Sequence, residues 1–402
     1  MIVVASDIHL TDRLSGDPVT DTELVRWLEM VEQRWNSLRG ENPDEPLEFV
    51  FLGDIVDILR SREWDTAQAM PWTGLDEGFT SFQHGYQEET ATRAAESTLK
   101  RYPSFFLKLA QLRAEKARVQ YVPGNHDFMV QCSPGARGKV AEAFGLTGGA
   151  LAAVYQNESL RLWAEHGHAY DSFNLHQAAS GQWAFGDAVV LLFVNRLAGR
   201  IAEQLNIPEW HPLTLALQRL DNVEPSWLLP QFIARTIQDH LVNKAEREKA
   251  NKEVKEVAKE LLSHSHFATH SDQTIRHLFE LLVRWDLAGL ATSTRAAIDQ
   301  FLVKDNLARH AYTVHRESKD KDLIIFGHTH HTEARPLMTY ERNTRGVMYV
   351  NTGTWRSVQL SATMASNQLD QFWPIRTYSW LEVHRERKTG RVLSRLVHER
   401  VL

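Results

Sequence analysis

Cysteine is nearly missing from this chain: Cys132 is the only one in 402 residues. A single thiol rules out an intramolecular disulfide framework and fits a reducing compartment. Long apolar runs are also missing. The longest, Ala188 to Val194, falls far short of the roughly 20 residues a membrane-spanning helix requires. The start, MIVVASDIHL, lacks the basic region and extended apolar core of a signal peptide, so the expectation is a soluble, cytoplasmic protein. There is no surplus of positive charge, the formal net charge being -6. General attraction to nucleic acid or anionic membrane is therefore unsupported, although a local basic patch is left open. Repeats and low-complexity tracts are absent as well. With hydrophobic residues at 43% and charged residues at 24%, the chain reads as an ordinary globular protein that can bury a large core.

What is present alternates between strand and helix patterns. Leu24, Trp27, Leu28, Val31, Trp35 and Leu38 recur at helical spacing after the polar start Asp21-Thr22. A strand, Phe49 to Leu52, follows. The next, Val119 to Val122, comes only after an aromatic stretch with Trp64, Trp72, Phe79, Phe82 and Tyr86, read as an insertion over 60–118. Part of it is irregular, and Ala94 to Leu112 reads as a helix. A second insertion, 171–320, reads as almost wholly helical. One amphipathic face is marked by Val254, Val257, Ala258, Leu261 and Leu262, and similar helices are expected from Ile275 to Leu287 and from Ala296 to Leu307. It is either a subdomain packed on the core or a cap meeting substrate or an apolar surface, the latter suggested by Val189 to Val194 and by Trp227, Leu228, Leu229 and Phe232. Strand character returns at LIIF, at Val347 to Asn351, and around Trp380 to Val383 and Val392 to Val397. The expectation is one elaborated domain over 1–402 with its core split between the two chain ends.

Five apolar runs end on metal-ligand types: IVVAS before Asp7 and His9, FVFLG before Asp54, VPG before Asn125, LRLWAE before His166, and LIIFG before His328 and His330. In an open α/β sheet the ligand crevice lies outside the carboxyl ends of the strands, where these exits would converge. Asp7 and His9, two apart on an extended chain, project to the same side; His328 and His330 repeat that spacing. Gly53-Asp54-Ile55-Val56-Asp57 places two carboxylates just past a strand. The glycine permits a close turn, and one carboxylate can bridge two cations through its two oxygens; Asp57 can equally be a helix cap. The amide of Asn125 is an unusual ligand, tolerated when stronger donors share the ion, and it leaves His126 beside the site. Cys132 reads as a small buried side chain.

Together Asp7-x-His9, Gly53-Asp54-x-x-Asp57, Gly124-Asn125-His126-Asp127, His166-Gly167-His168 and Gly327-His328-Thr329-His330 resemble the calcineurin-like metallophosphoesterase superfamily in residue type, order and spacing. The resemblance implies an α/β layered sandwich of two mixed β-sheets flanked by helices. It also implies two divalent metal ions, one bound by Asp7, His9, Asp54 and His330, the second by Asp54, Asn125, His166 and His328. In the family pattern the ligand is the histidine directly followed by glycine, His166, which leaves His168 a bystander or a support behind the ligands. Mixed oxygen and nitrogen donors favour Mn²⁺ first, with Fe or Zn²⁺ as alternatives, over Ca²⁺.

Such a centre hydrolyses a phosphoester by attack of a metal-bridging hydroxide, with no serine or cysteine nucleophile. His126 would protonate or stabilise the leaving oxygen, and the family position matching Asp57 orients it. The expected enzyme is a phosphodiesterase or pyrophosphohydrolase, rather than a monoesterase, acting on a small or lipid-linked phosphoester. The bacterial UDP-2,3-diacylglucosamine hydrolases are similar in carrying a helical insertion between the fourth and fifth blocks, where a cap receives acyl chains; this chain has His126 where many of them carry arginine, and a longer insertion. Peripheral membrane contact through the insertion is a corollary. The alternatives are a nuclease resembling the Mre-type DNA repair subunit, which would require a basic groove, and a non-catalytic phosphoesterase-fold scaffold, whose sign would be lost ligands. Oligomeric state has no sequence signal.

Overall fold

A computed structural model describes the chain except residues 13–17, 66–84, 147–150, 172, 177–183, 225–227, 265–272, 285–306, 319, 338–345, 363–370 and 402. Two mixed β-sheets lie face to face. One runs in the order β3 (Arg118–Val122), β2 (Glu48–Leu52), β1 (Ile2–Ala5), β11 (Gln371–Arg385), β10 (Ser357–Ala362), β6 (Val223–Glu224), with β12 (Val392–Val401) also paired to β11. The other runs β4 (Tyr155–Asn157), β5 (Leu162–Ala164), β7 (Leu323–Phe326), β9 (Val347–Thr352), β8 (Thr332–Leu337). Strands β1, β2 and β3 are mutually parallel, as are β5, β7 and β9, so both sets leave their sheets in a common direction.

The layers follow from the two-residue period of a strand. Ile2, Val4, Val50, Leu52 and Val122 point inward to meet Leu162, Ala164, Leu323, Ile325 and Val350 of the opposite sheet. Their neighbours Val3, Ala5, Phe49 and Phe51 point outward into the larger core. Both faces of the parallel strands are thus covered, which is why these runs are continuously apolar rather than alternating. The outer face of the second sheet, Ile324, Phe326, Val347 and Tyr349, packs on Leu307, Ala311 and Val314 of the helix Leu307–Ser318.

Helix α1 (Asp21–Glu41) buries the expected Leu24, Trp27, Leu28, Val31 and Trp35, and Thr20 with Glu23 closes a capping box at its start. Where one helix is expected over 94–112 there are two, α2 (Gly85–Leu99) and α3 (Pro103–Ala114). Pro103 is the reason: it lacks the amide hydrogen to continue α2 but suits the first turn of α3. The aromatics Trp72, Phe79 and Phe82 lie outside the described residues. Trp64 is buried, its Nε1 donating to the Ile58 carbonyl at 2.9 Å.

Between the parallel neighbours β5 and β7 the described residues are mostly helical, including α7 (Asn195–Leu205), α9 (Leu229–His240) and α10 (Lys244–Ser263), whose buried face carries Val254, Val257, Ala258 and Leu261. The expected helix over 275–287 is observed as Gln273–Arg284; the one over 296–307 lies outside the described residues except for Leu307, which starts the helix packed on the second sheet. This segment is not wholly helical, because β6 pairs with β10 and extends the first sheet. Its apolar runs point inward: Val190 to Val194 lie in a buried π-helical turn, and Leu228, Leu229 and Phe232 are buried too, all in the core shared with α1, β1 and β2. Trp227 lies outside the described residues.

Candidate metal centre

All nine candidate residues come together at the exits of β1, β2, β3, β5 and β7, mostly in the depths of the molecule. The local backbone shows how. Asp7, His9, Asp54, His328 and His330 have positive φ, five of the eight non-glycine residues in that region among the described residues. Each such residue costs about 1–3 kcal/mol, a strain that persists only where the surroundings over-determine it. Turning the chain this sharply aims each side chain back over the end of its own strand. Gly53 and Gly124 allow the blocks to close up. A Cβ on Gly124 would fall 2.2 Å from Asp54 Oδ1, and one on Gly53, at φ +80, 2.4 Å from the His166 ring.

Two groups of donors result. In the first, Asp7 Oδ1 lies 3.5 Å from His330 Nε2, which lies 3.3 Å from His9 Nε2. In the second, His166 Nε2 lies 3.2 Å from Asn125 Oδ1 and 3.3 Å from Asp54 Oδ2, and His328 belongs to the same group. Asp54 Oδ2 also lies 3.9 Å from His9 Nε2, so this carboxylate faces both groups. Its other oxygen, Oδ1, accepts the His126 backbone N–H at 2.8 Å.

Three of the histidines hold one ring nitrogen against an acceptor. His9 Nδ1 meets Asp57 Oδ2 at 3.0 Å, His166 Nδ1 meets the Leu52 carbonyl at 2.9 Å, and His328 Nε2 meets Asp171 Oδ2 at 3.0 Å. In a neutral ring, an acceptor at one nitrogen places the proton there and leaves a lone pair on the other; for His166, burial opposes the imidazolium but the Asp54 and Asp7 charges outweigh it and raise its pKa to about 10. Burial, and after it the Arg356 charge, pulls the His9 pKa below its ordinary value, and burial with the His9 charge pulls that of His330 well below it, so both rings stay neutral. The fit to cations is direct. Asp7 is fully buried, its Oδ2 accepts the His328 N–H at 3.0 Å, and its Oδ1 has no hydrogen-bond partner. Burial, with Asp54 adding like charge and the His166 charge opposing, raises its pKa above its ordinary value. A buried oxygen without a donor beside two unprotonated imidazole nitrogens 3.3 Å apart is the arrangement a divalent ion satisfies, since nitrogen ligands at about 2.0–2.1 Å from one ion sit near this separation.

Asp57 is fully committed. Its Oδ1 meets His126 Nδ1 at 2.9 Å and its Oδ2 meets His9 Nδ1 at 3.0 Å. It also caps the short helix Ile58–Arg60 by accepting the Arg60 N–H at 3.1 Å, the helix-cap reading of this residue. Burial opposes its charge, but His126 above all stabilises the carboxylate and drives its pKa far down. Burial likewise opposes the His126 imidazolium, and the Asp57 and Asp54 charges outweigh it, raising its pKa to about 9. A proton donor is therefore poised next to the donor groups. Asp127 buttresses the neighbouring turn. It accepts from Tyr121 Oη at 2.6 Å, from the Ile55 N–H at 3.0 Å and from the Gly124 N–H, and so fixes the backbone that presents Asn125. His168 is half-buried with Nδ1 unbonded, its ring 5.4 Å from that of His166. Cys132 is half-buried and burial raises its pKa to about 11, which makes it unreactive.

Three participants escaped sequence reasoning. Arg356, beyond β9, places Nη2 2.6 Å from Asp221 Oδ2 and 3.7 Å from Asp57 Oδ2. Asp221 in turn lies 3.3 Å from Arg60 Nε. Asp171 touches His328 as described. None follows an apolar strand in a ligand pattern, so the signal that found the others could not find these.

Facing mixed sheets with carboxylate, amide and imidazole groups gathered at their exits define an α/β metallohydrolase. The model of the family Calcineurin-like phosphoesterase matches residues 1–197, which supports the calcineurin-like metallophosphoesterase superfamily. The final block, His328 and His330, lies beyond the matched stretch but directly after β7, which is hydrogen-bonded to β5 inside it. No curated protein matches the sequence. Family and donor clusters together indicate a dinuclear divalent-metal site and metal-dependent phosphoester hydrolysis. No described helix is long and apolar enough to cross a membrane.

Proposed function

We propose that this chain is a phosphodiesterase or pyrophosphohydrolase for a small or lipid-linked phosphoester. Asp7, His9, Asp54 and His330 hold one divalent ion, and Asp54, Asn125, His166 and His328 the other, with Mn²⁺ the expected metal and Fe or Zn²⁺ the alternatives. The observation that carries the assignment is Asp54 Oδ2, 3.3 Å from His166 Nε2 in one group and 3.9 Å from His9 Nε2 in the other. When bound, the two ions neutralise phosphoryl charge and lower the pKa of water so that it attacks at neutral pH.

The chain's own residues do the rest. His126 donates the proton that the leaving oxygen needs, because Asp57 holds its Nδ1–H and leaves Nε2 to act as acid. Asp57 stays ionised throughout, balanced by the Arg356 guanidinium 3.7 Å away. Asp54 Oδ1, by accepting the His126 N–H, fixes the acid at a set distance from the donor groups. An acid of this kind serves a poor alkoxide or phosphate leaving group, which supports diester or pyrophosphate cleavage.

The test is hydrolysis of bis-p-nitrophenyl phosphate and p-nitrophenyl phosphate by the Mn²⁺-reconstituted protein. Faster diester turnover is the expected result; exclusive monoester turnover would overturn the substrate assignment. Cleavage of DNA that falls steeply with salt would replace it with the nuclease reading.

A further inference from the structure

The 171–320 segment supplies no residue to the donor groups just described, yet its first residue sits against one of them. Asp171 Oδ2 is 3.0 Å from His328 Nε2. The same carboxylate is itself fixed, Oδ1 accepting the Phe173 N–H at 2.9 Å and Oδ2 accepting from Asn174 Nδ2 at 2.6 Å. Asn174 Oδ1 then reaches Asn125 Nδ2 at 3.3 Å, a second link to the same group of donors. The Gly186 N–H donates to the Phe173 carbonyl at 3.1 Å, and a Cβ on Gly186 would fall 2.2 Å from Asn174 Oδ1. The side chains of His176 and Asp187, both nearly without solvent exposure, lie 2.7 Å apart.

We infer that the 171–320 segment completes the metal centre from inside, with Asp171 as the positioning residue for His328. The inference rests on the dinuclear reading proposed above. Its physical basis is the tautomer. His328 can offer a lone pair from only one ring nitrogen, and with Nε2–H donated to a fixed carboxylate that nitrogen is Nδ1. A histidine ligand whose other nitrogen is bonded to a carboxylate is both oriented and more basic. His9 and His166 receive this service from the first sheet and the turn beyond it, through Asp57 and the Leu52 carbonyl. For His328 the acceptor is the carboxylate of Asp171 instead. Glu224 of β6 stands in a similar but looser relation to His330, Oε1 being 3.9 Å from its Nδ1. Both of these carboxylates behind the last block therefore come from the 171–320 segment.

The experiment measures Mn²⁺ binding to the full chain by calorimetry, with bound metal counted by mass spectrometry, for wild type, Asp171→Ala and Asp171→Asn. Wild type is expected to bind two ions. Asp171→Ala should weaken one of them by about 10–100-fold and leave the other unchanged. Asp171→Asn, whose single amide oxygen can still accept from Nε2–H but puts an NH2 group where the Phe173 N–H was accepted, should weaken the same ion measurably, by less than about tenfold. Two unaltered affinities in Asp171→Ala, or an equal loss at both sites, would overturn the inference. If Asp171→Ala lowers the melting temperature of the metal-free protein, Asp171→Asn decides, and wild-type affinity at both sites in that variant would be the overturning result. Failure of the wild type to bind two ions would instead sink the dinuclear reading itself, and with it the inference.

Discussion

Residues 1–170 and the 171–320 segment share one hydrophobic core but meet the active centre in opposite ways. The first region reaches it through backbone. Its donors follow closely on β1, β2, β3 and β5, strands held by parallel hydrogen bonding, and Asp7, His9 and Asp54 turn into the left-handed region. The second reaches it through side chains alone: Asp171 at His328, Asp221 at Arg356 and Glu224 near His330. The proposed ligands are therefore mostly attached where the backbone is least free to move. Counter-charges, which tolerate a longer reach, come from a region that mainly packs.

The most severe way to break this contrast is Asp54→Ala. The residue faces both donor groups, so both ions and all turnover should be lost, as read by metal content and by bis-p-nitrophenyl phosphate hydrolysis; full activity would rule out the dinuclear mechanism. His126→Ala should keep both ions and lower turnover by about 10²–10⁴-fold, the usual range for a proton donor. The pH profile sharpens that prediction. His126 acts when protonated, so activity is present below its pKa and lost as pH rises through it, no higher than about 9, since bound cations lower that value further. This alkaline limb should vanish in His126→Ala, and its persistence would assign the acid elsewhere.

Gly124→Ala probes the close approach of two blocks. Its Cβ would fall 2.2 Å from Asp54 Oδ1 and 2.6 Å from the Asp54 backbone nitrogen. Overpacking of this kind costs about 1–3 kcal/mol, so the melting temperature and the affinity for both ions should fall together. Leu261→Ala on α10, fully buried, should lower stability by about 2–5 kcal/mol while leaving metal affinity per folded molecule unchanged. A selective loss of one ion in that variant would show that the helical segment's packing, and not only its carboxylates, sets the centre. At the small end, breaking the exposed Lys244–Glu248 pair should leave the melting temperature within error.

Much of this was legible before folding is considered. Five strand-exit patterns pointed to Asp7, His9, Asp54, Asn125, His166, His328 and His330, because a buried parallel strand shows itself as a continuous apolar run and the residue past its end is the first one free to do chemistry. The helix carrying Leu24 to Leu38 followed from its spacing alone. Pro103 was available as a signal that 94–112 is two helices, and was outweighed by the apolar period on either side. Short edge strands such as β4, β6 and β8 left no comparable trace, since such a pairing is decided by the neighbour more than by its own sequence.

Residue type and order determined the inventory of candidate ligands and pointed to the reaction class, because those depend on local chemistry: which donors exist, and which follow a strand. Only the tertiary structure decided that Asp54 presents a single oxygen to both donor groups, that Asp57 serves His9, His126 and a helix start at once, and that Asp171, Asp221 and Arg356 belong to the centre. Most of these are contacts between residues far apart in the chain. They exist only after two sheets have closed on each other, and no periodicity in the sequence can encode the distance between them.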